Sequence, residues 1–176
     1  YYFGVGMLVD GVGDDRFEAA WYAQAAAAHA GAGVLLKEGA GSDHYRASHS
    51  TSLAAAHDLA LAYFQDEGGD DHYVLGNLGL GAAQDASIAV FVDAAGQDRY
   101  ASGGPPCLAF GVARHSPEEP PSPTGVGLGL FLDLAGRDQY PLHCPQAREG
   151  AAWGGADAQA GVGVGIDVGG GGDAAP

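Results

Sequence analysis

A five-residue phrase, Gly-x-Asp-x-aromatic, recurs along this chain and fixes the kind of fold open to it. It reads GDDRF at 13–17, GSDHY at 41–45, GDDHY at 69–73, GQDRY at 96–100 and GRDQY at 136–140. The repeated aspartates are Asp15, Asp43, Asp71, Asp98 and Asp138, separated by 28, 28, 27 and 40 residues, and a sixth copy is expected near Asp173. A period of this size belongs to solenoids, in which each repeat is one coil that buries its apolar face only against its neighbours.

The alignment extends beyond the phrase. Five residues before each repeated Asp stands another acid: Asp10, Glu38, Asp66, Asp93 and Asp133. Seven before it stands Leu8, Leu36, Phe64, Phe91 or Phe131, and two after it Phe17, Tyr45, Tyr73, Tyr100 or Tyr140. Side-chain size alternates with period two before the Gly, as in a strand with one face inward, and the Gly itself marks a tight turn. Each coil therefore reads as an apolar strand, an acid, a Gly turn, a second acid and a strand led by an aromatic. The rest of each repeat is Gly- and Ala-rich. Segments 18–30 and 47–64 have helical propensity, but the equivalent slot in the third repeat, YVLGNLGLGAAQDA, carries three glycines and disfavours a helix. The expected fold is all-β, a parallel β-solenoid (β-helix) of about six coils repeating every 28 residues or so.

The chain is expected to be one domain over 1–176, with a Pro-rich loop inserted at 102–124. Neither end reads as a capping repeat, so a piece of a longer array, or end-to-end self-association into fibres, is expected. Net charge is −15 with seven Lys plus Arg, which opposes binding to nucleic acid. No apolar run is long enough to span a membrane.

In a solenoid, equivalent residues stack. Asp10, Glu38, Asp66, Asp93 and Asp133 would form one acidic ladder, and Asp15, Asp43, Asp71, Asp98 and Asp138 a second. Two carboxylates one coil apart, ~4.8 Å, repel by ~3–4 kcal/mol at an effective dielectric of about 20. Either each Asp caps its own turn, aided by the mostly basic ladder Arg16, His44, His72, Arg99 and Gln139, or cations sit between coils. Calcium suits a site of carboxylates and turn carbonyls. The aromatic ladder Phe17, Tyr45, Tyr73, Tyr100 and Tyr140 reads as internal ring stacking, with a platform for sugar rings as the alternative.

Residues 38–46, EGAGSDHYR, resemble the calcium-binding nonapeptide of RTX proteins, although here one such turn occurs per 28 residues or so. The runs GVGMLVDGVGDDRF and GVGLGLFLDLAGRDQY resemble those of a group of uncharacterised bacterial β-solenoid repeat proteins. That resemblance implies a secreted or cell-surface scaffold and brings no catalytic residues.

Cys107 and Cys144 fall in neighbouring repeats and are disulfide candidates; a zinc set with His115 and His143 is the alternative. His44 and His72 share one register. No nucleophile–base motif is present. The functional expectation is a non-enzymatic structural or adhesive scaffold, extracellular or on a cell surface, stabilised by Ca2+, with a polysaccharide or protein as ligand. The alternative is a carbohydrate-active β-helix enzyme, a polysaccharide lyase or glycoside hydrolase.

Overall fold

The computed structural model describes residues 2–116, 125–155 and 161–170. It is a parallel β-solenoid with three faces. The first sheet stacks β1 (Val5–Asp10), β4 (Ala32–Lys37), β7 (Leu61–Asp66), β10 (Ile88–Asp93), β13 (Gly127–Asp133) and β15 (Gly161–Asp167) in parallel. The second stacks β2 (Arg16–Ala19), β5 (His44–Ala47), β8 (His72–Leu75) and β11 (Arg99–Ser102). The third stacks β3 (Ala26–Ala28), β6 (Ala55–His57), β9 (Ala82–Gln84) and β12 (Ala113–Arg114). No described residue is helical, and no helix is long and apolar enough to cross a membrane.

The alanine-rich segments form the third face, not helices. Two successive residues in the left-handed region precede each of these short strands, Gln24–Ala25 and Leu53–Ala54 for example, and pairs such as His29–Ala30 and Asp58–Leu59 follow β3 and β6. A helix cannot pass such corners. Alanine is chosen here for space: Ala27, Ala56, Ala60, Ala62, Ala83 and Ala89 pack together in a narrow angle between the third and first sheets. Helix propensity lost to tertiary packing.

In the first sheet, alternate residues point inward in a small–large–polar order. Ala62, Phe64 and Asp66 are buried on β7, and Ala89, Phe91 and Asp93 on β10. Strand register pairs Leu8 with Leu35 and then Phe64, Phe91 and Phe131. This corrects the sequence alignment by one residue in the second repeat. Leu35, not Leu36, is the inward residue. Likewise Lys37, not Glu38, stands in register with Asp10 and Asp66, and Glu38 is exposed. The turn after β4 is one residue longer than its equivalents, which misled the count back from Asp43.

The core is two stacks of rings. Phe17, Tyr45, Tyr73, Tyr100 and Tyr140 stack face to face at 5.0, 5.0, 5.1 and 5.1 Å between centroids. Phe64, Phe91 and Phe131 stack beside them at 4.8 and 5.2 Å, edge-on to the tyrosines. Tyr45, Tyr73 and Tyr100 are buried, so the ladder is internal and offers no platform to sugar rings.

The described residues make about four complete turns, fewer than the six expected. After β12, no further strand among the described residues joins the second or third sheet. The fifth phrase contributes a single bridge, Arg99 to Gln139, and residues 141–151 then cross in turns. Over 102–116 the expected loop insertion is instead part of the fourth turn: it supplies Phe110 to the core, the bridge at Ala109 and strand β12. Residues 117–124 and the phrase expected near Asp173 lie outside the described residues.

The far edge of β15 is paired within the chain. Strand β14 (Ala152–Gly154) runs antiparallel along it. The Trp153 ring lies over Gly165, where any Cβ would collide with it, and its Nε1–H donates to the Phe110 carbonyl at 3.0 Å.

Candidate metal-binding corner

The corner between the first and second sheets carries the acids, and the turn geometry explains why. Gly41, Gly69, Gly96 and Gly136 stack so closely that a Cβ on any of them would overlap the carbonyl oxygen of its counterpart one coil earlier. Only glycine permits this approach. The turns are thereby superposed coil on coil, and so are the acids on either side.

The second-acid ladder does not cap its own turns. Each Oδ1 accepts the backbone N–H of its counterpart in the preceding coil: Asp43 from Asp15 at 2.6 Å, Asp71 from Asp43 at 2.6 Å, Asp98 from Asp71 at 2.7 Å and Asp138 from Asp98 at 2.8 Å. The series ends on Glu149, whose Oε2 accepts the Asp138 N–H at 2.6 Å. Two acids of the first ladder, Asp66 and Asp93, do cap their own turns. Asp66 Oδ1 accepts from Gly68 N–H at 3.0 Å and Asp93 Oδ1 from Ala95 N–H at 3.2 Å. One oxygen of Asp66, Asp93, Asp133 and Asp167 takes a tyrosine hydroxyl from the preceding coil. Tyr45 donates to Asp66 and Tyr73 to Asp93 at 2.6 Å, Tyr100 to Asp133 at 2.8 Å and Tyr140 to Asp167 at 2.7 Å. Burial and these carboxylates hold the tyrosine hydroxyls far above their usual range, so they act only as donors.

The two ladders interleave into triads. Asp43, Asp66 and Asp71 bring one oxygen each within 4.8 Å of one another. So do Asp71, Asp93 and Asp98, then Asp98, Asp133 and Asp138, and finally Asp138, Glu149 and Asp167. Neighbouring triads share an aspartate.

Charge in the triads is not balanced by the basic ladder. Arg16 pairs with Glu18, while His44, His72 and Arg99 occupy outward positions on their strands. Burial first, then neighbouring carboxylates, pushes the triad acids up: Asp71 and Asp138 to about 7, Asp133 to about 8, Asp98 to about 9 and Asp93 well above its usual value. Asp98 Oδ2, Asp133 Oδ1 and Asp138 Oδ2 are buried without a hydrogen-bond partner.

One coil supplies its own cation. Lys37 fills the slot that Asp66, Asp93 and Asp133 occupy elsewhere. Its fully buried ammonium lies 3.2 Å from Asp15 Oδ2 and 3.6 Å from Asp43 Oδ2. It donates to the turn carbonyls of Gly11 at 2.6 Å and Gly13 at 3.2 Å. The Oδ2 atoms of Asp98 and Asp138, counterparts of those that face the ammonium at Asp15 and Asp43, have no hydrogen-bond partner, and both residues sit in triads of acids.

Of the residues expected to bind metal, Asp43, Asp66, Asp71, Asp93, Asp98, Asp133 and Asp138 meet in triads; Asp10, Asp15 and Glu38 do not. Asp167 and Glu149 were missed. Asp167 was legible, since GVGVGID at 161–167 echoes GVGLGLFLD at 125–133, but the Gly-x-Asp-x-aromatic phrase does not follow it. Glu149 comes from an irregular segment with no repeat signal. Three carboxylates at this spacing fit a hard cation: two oxygens on one calcium, each at 2.3–2.6 Å, lie at most about 5 Å apart.

Cys107 and Cys144 are joined in a disulfide, Cα–Cα 5.4 Å. The alternative zinc set is therefore dissolved: His143 Nε2 accepts from Gly104 N–H at 3.2 Å, and His115 lies against Asp85 in another corner. His44 and His72 meet edge-on at 4.9 Å, and neither belongs to a candidate metal group among the described residues.

No family model, no curated protein and no solved structure matches the chain. The β-solenoid fold stands on the strand register, and the resemblance to bacterial repeat proteins rests on its motifs alone.

Proposed function

We propose that this chain is a non-enzymatic structural or adhesive scaffold, secreted or displayed on a cell surface, whose acidic corner is loaded with calcium. The observation that carries it is the recurrence of one buried carboxylate triad in successive turns, with an ammonium in the equivalent place in the one coil that lacks the third acid. A catalytic centre is a singular constellation; here each coil repeats its neighbour. Cation binding to the folded state alone adds stability through mass action, about 2.7 kcal/mol at a hundredfold excess over Kd. The Cys107–Cys144 bond supports an oxidising compartment, where millimolar-range calcium sites are common in extracellular modules.

The test is thermal melting in calcium and in chelator, on the parent chain and on Asp98→Asn. Asn keeps an oxygen for the Asp71 N–H, replaces the unpartnered Oδ2 with an amide, and removes a carboxyl group from the second and third triads. The variant is expected to melt higher than the parent in chelator near pH 8, and to gain less from calcium. A parent chain whose melting temperature ignores calcium sinks the calcium reading.

A further inference from the structure

We propose that His29, His57 and Asp58 form a binding site for one divalent first-row transition metal, at the corner between the third and first sheets and apart from the acidic corner. The topology assembles it from two coils. His29 and Asp58 occupy equivalent corner positions, with the backbone N–H of Ala30 donating to the Asp58 carbonyl at 2.9 Å and that of His29 to the His57 carbonyl at 3.2 Å. His57 ends strand β6 immediately before Asp58.

Both imidazoles aim the same nitrogen at the same oxygen. His29 Nδ1 lies 2.9 Å and His57 Nδ1 3.0 Å from Asp58 Oδ2, and the three donor atoms all lie within 4.8 Å of one another. Tetrahedral ligands bonded at 2.0–2.1 Å are about 3.3 Å apart, so shifts of a few tenths of an ångström from Asp58 would seat an ion. The rings are already oriented. The Tyr22 hydroxyl sits 2.7 Å from His57 Nε2, the outer hydrogen bond that metal-ligating histidines characteristically make. Tyr2 stacks on His29 at 4.5 Å and 15°. The side chains of His29, His57 and Asp58 are 22, 16 and 37% exposed, shielded yet open to an ion and to a water in its fourth position.

The donor set selects the metal class. Two imidazoles with one carboxylate favour zinc, cobalt, nickel or copper, whereas calcium takes oxygen alone. With neutral imidazoles, the single Asp58 charge leaves the occupied site at +1, on a chain of net charge −15. A plain ion-pair ladder would recur along the corner without a third donor, and one coil further it does: His115 Nδ1 lies 3.5 Å from Asp85 Oδ1, while Gln84 and Arg114 take the positions in line with His57.

The experiment is a Co2+ titration followed by visible absorption, on untagged protein with saturating calcium so that the acidic triads are already filled. One Co2+ per chain is expected, displaced by Zn2+. Tyr22→Phe should weaken binding by about 10–100-fold, Asp58→Asn and His57→Ala by more, and His49→Ala should leave it unchanged. Should His57→Ala misfold, imidazole 15N resonances of the parent chain decide: Zn2+ must shift Nδ1 of His29 and His57. Absence of saturable binding, or shifts confined to His44 and His72, overturns the proposal.

Discussion

Lys37 is the sharpest probe of the acidic corner, because it is the cation the chain supplies itself. Its ammonium is fully buried against Asp15 and Asp43, and the Asp43 side chain is fully buried too. Lys37→Met keeps the volume and strips the charge, leaving Asp43 without a counter-ion. Breaking a buried pair this way costs about 3–5 kcal/mol; Asp15 is 38% exposed, so water offsets part of the loss and the low end applies. For a chain of this length, ~3 kcal/mol is a fall of about 6–12 °C in melting temperature. Burial raises the Asp43 carboxyl above its usual range, opposed by Lys37, so the deficit should shrink toward pH 4, where a proton replaces the ammonium. Lys37→Asp goes further, adding a third carboxylate between Asp15 and Asp43. It should melt far below the parent in chelator, recover in calcium, and bind one more ion per chain. Differential scanning calorimetry at pH 4 and pH 7, with and without calcium, reads all three. If Lys37→Asp is as stable as the parent in chelator, the triads do not need cations and the reasoning fails.

The metal-free chain should lose stability as pH rises. Triad aspartates have folded pKa values near 7 to 9 against about 3.9 unfolded. The folded state thus binds more protons between those limits, and stability declines from about pH 4 to pH 9; denaturant midpoints across that range should fall in chelator and flatten in calcium. Gly69→Ala places a methyl group against the Gly41 carbonyl at φ 142° and should cost at least ~3 kcal/mol, visible in the midpoint of denaturant unfolding. Reducing Cys107–Cys144, which closes a 37-residue separation, should cost about 4 kcal/mol if chain entropy dominates, and a melt with reductant measures it.

Much of the fold was legible because a solenoid writes its geometry once per coil. The phrase at Gly69–Tyr73 already held a turn glycine, an inward acid and a core ring. What escaped was information a single coil does not carry. The third sheet was hidden because Ala26–Ala28 and Ala55–His57 have helix-forming composition, and left-handed corners carry no consensus residue. The place of Lys37 was hidden by a one-residue change in turn length, which no count from Asp43 could reveal. His29 is a full coil away in sequence from the adjacent His57 and Asp58; only the parallel register of β3 and β6 puts the three at one corner. Trp153 and Glu149, which close the ring stack and the aspartate ladder, belong to no repeat at all.

The central claim, that the buried triads exist to hold cations, is tested most directly by titrating calcium into chelator-stripped protein near pH 7, by calorimetry in two buffers of different ionisation enthalpy. Saturable binding of more than one calcium per chain is predicted, with protons released on binding, because Asp98 and Asp133 are protonated there when no ion is bound. Adjacent sites share an aspartate and lie about 4.8 Å apart, so the first ions should fill alternate triads and later ones bind more weakly. Absence of binding heat, or binding without proton release, would contradict the claim and leave shared protons as what stabilises the acidic corner.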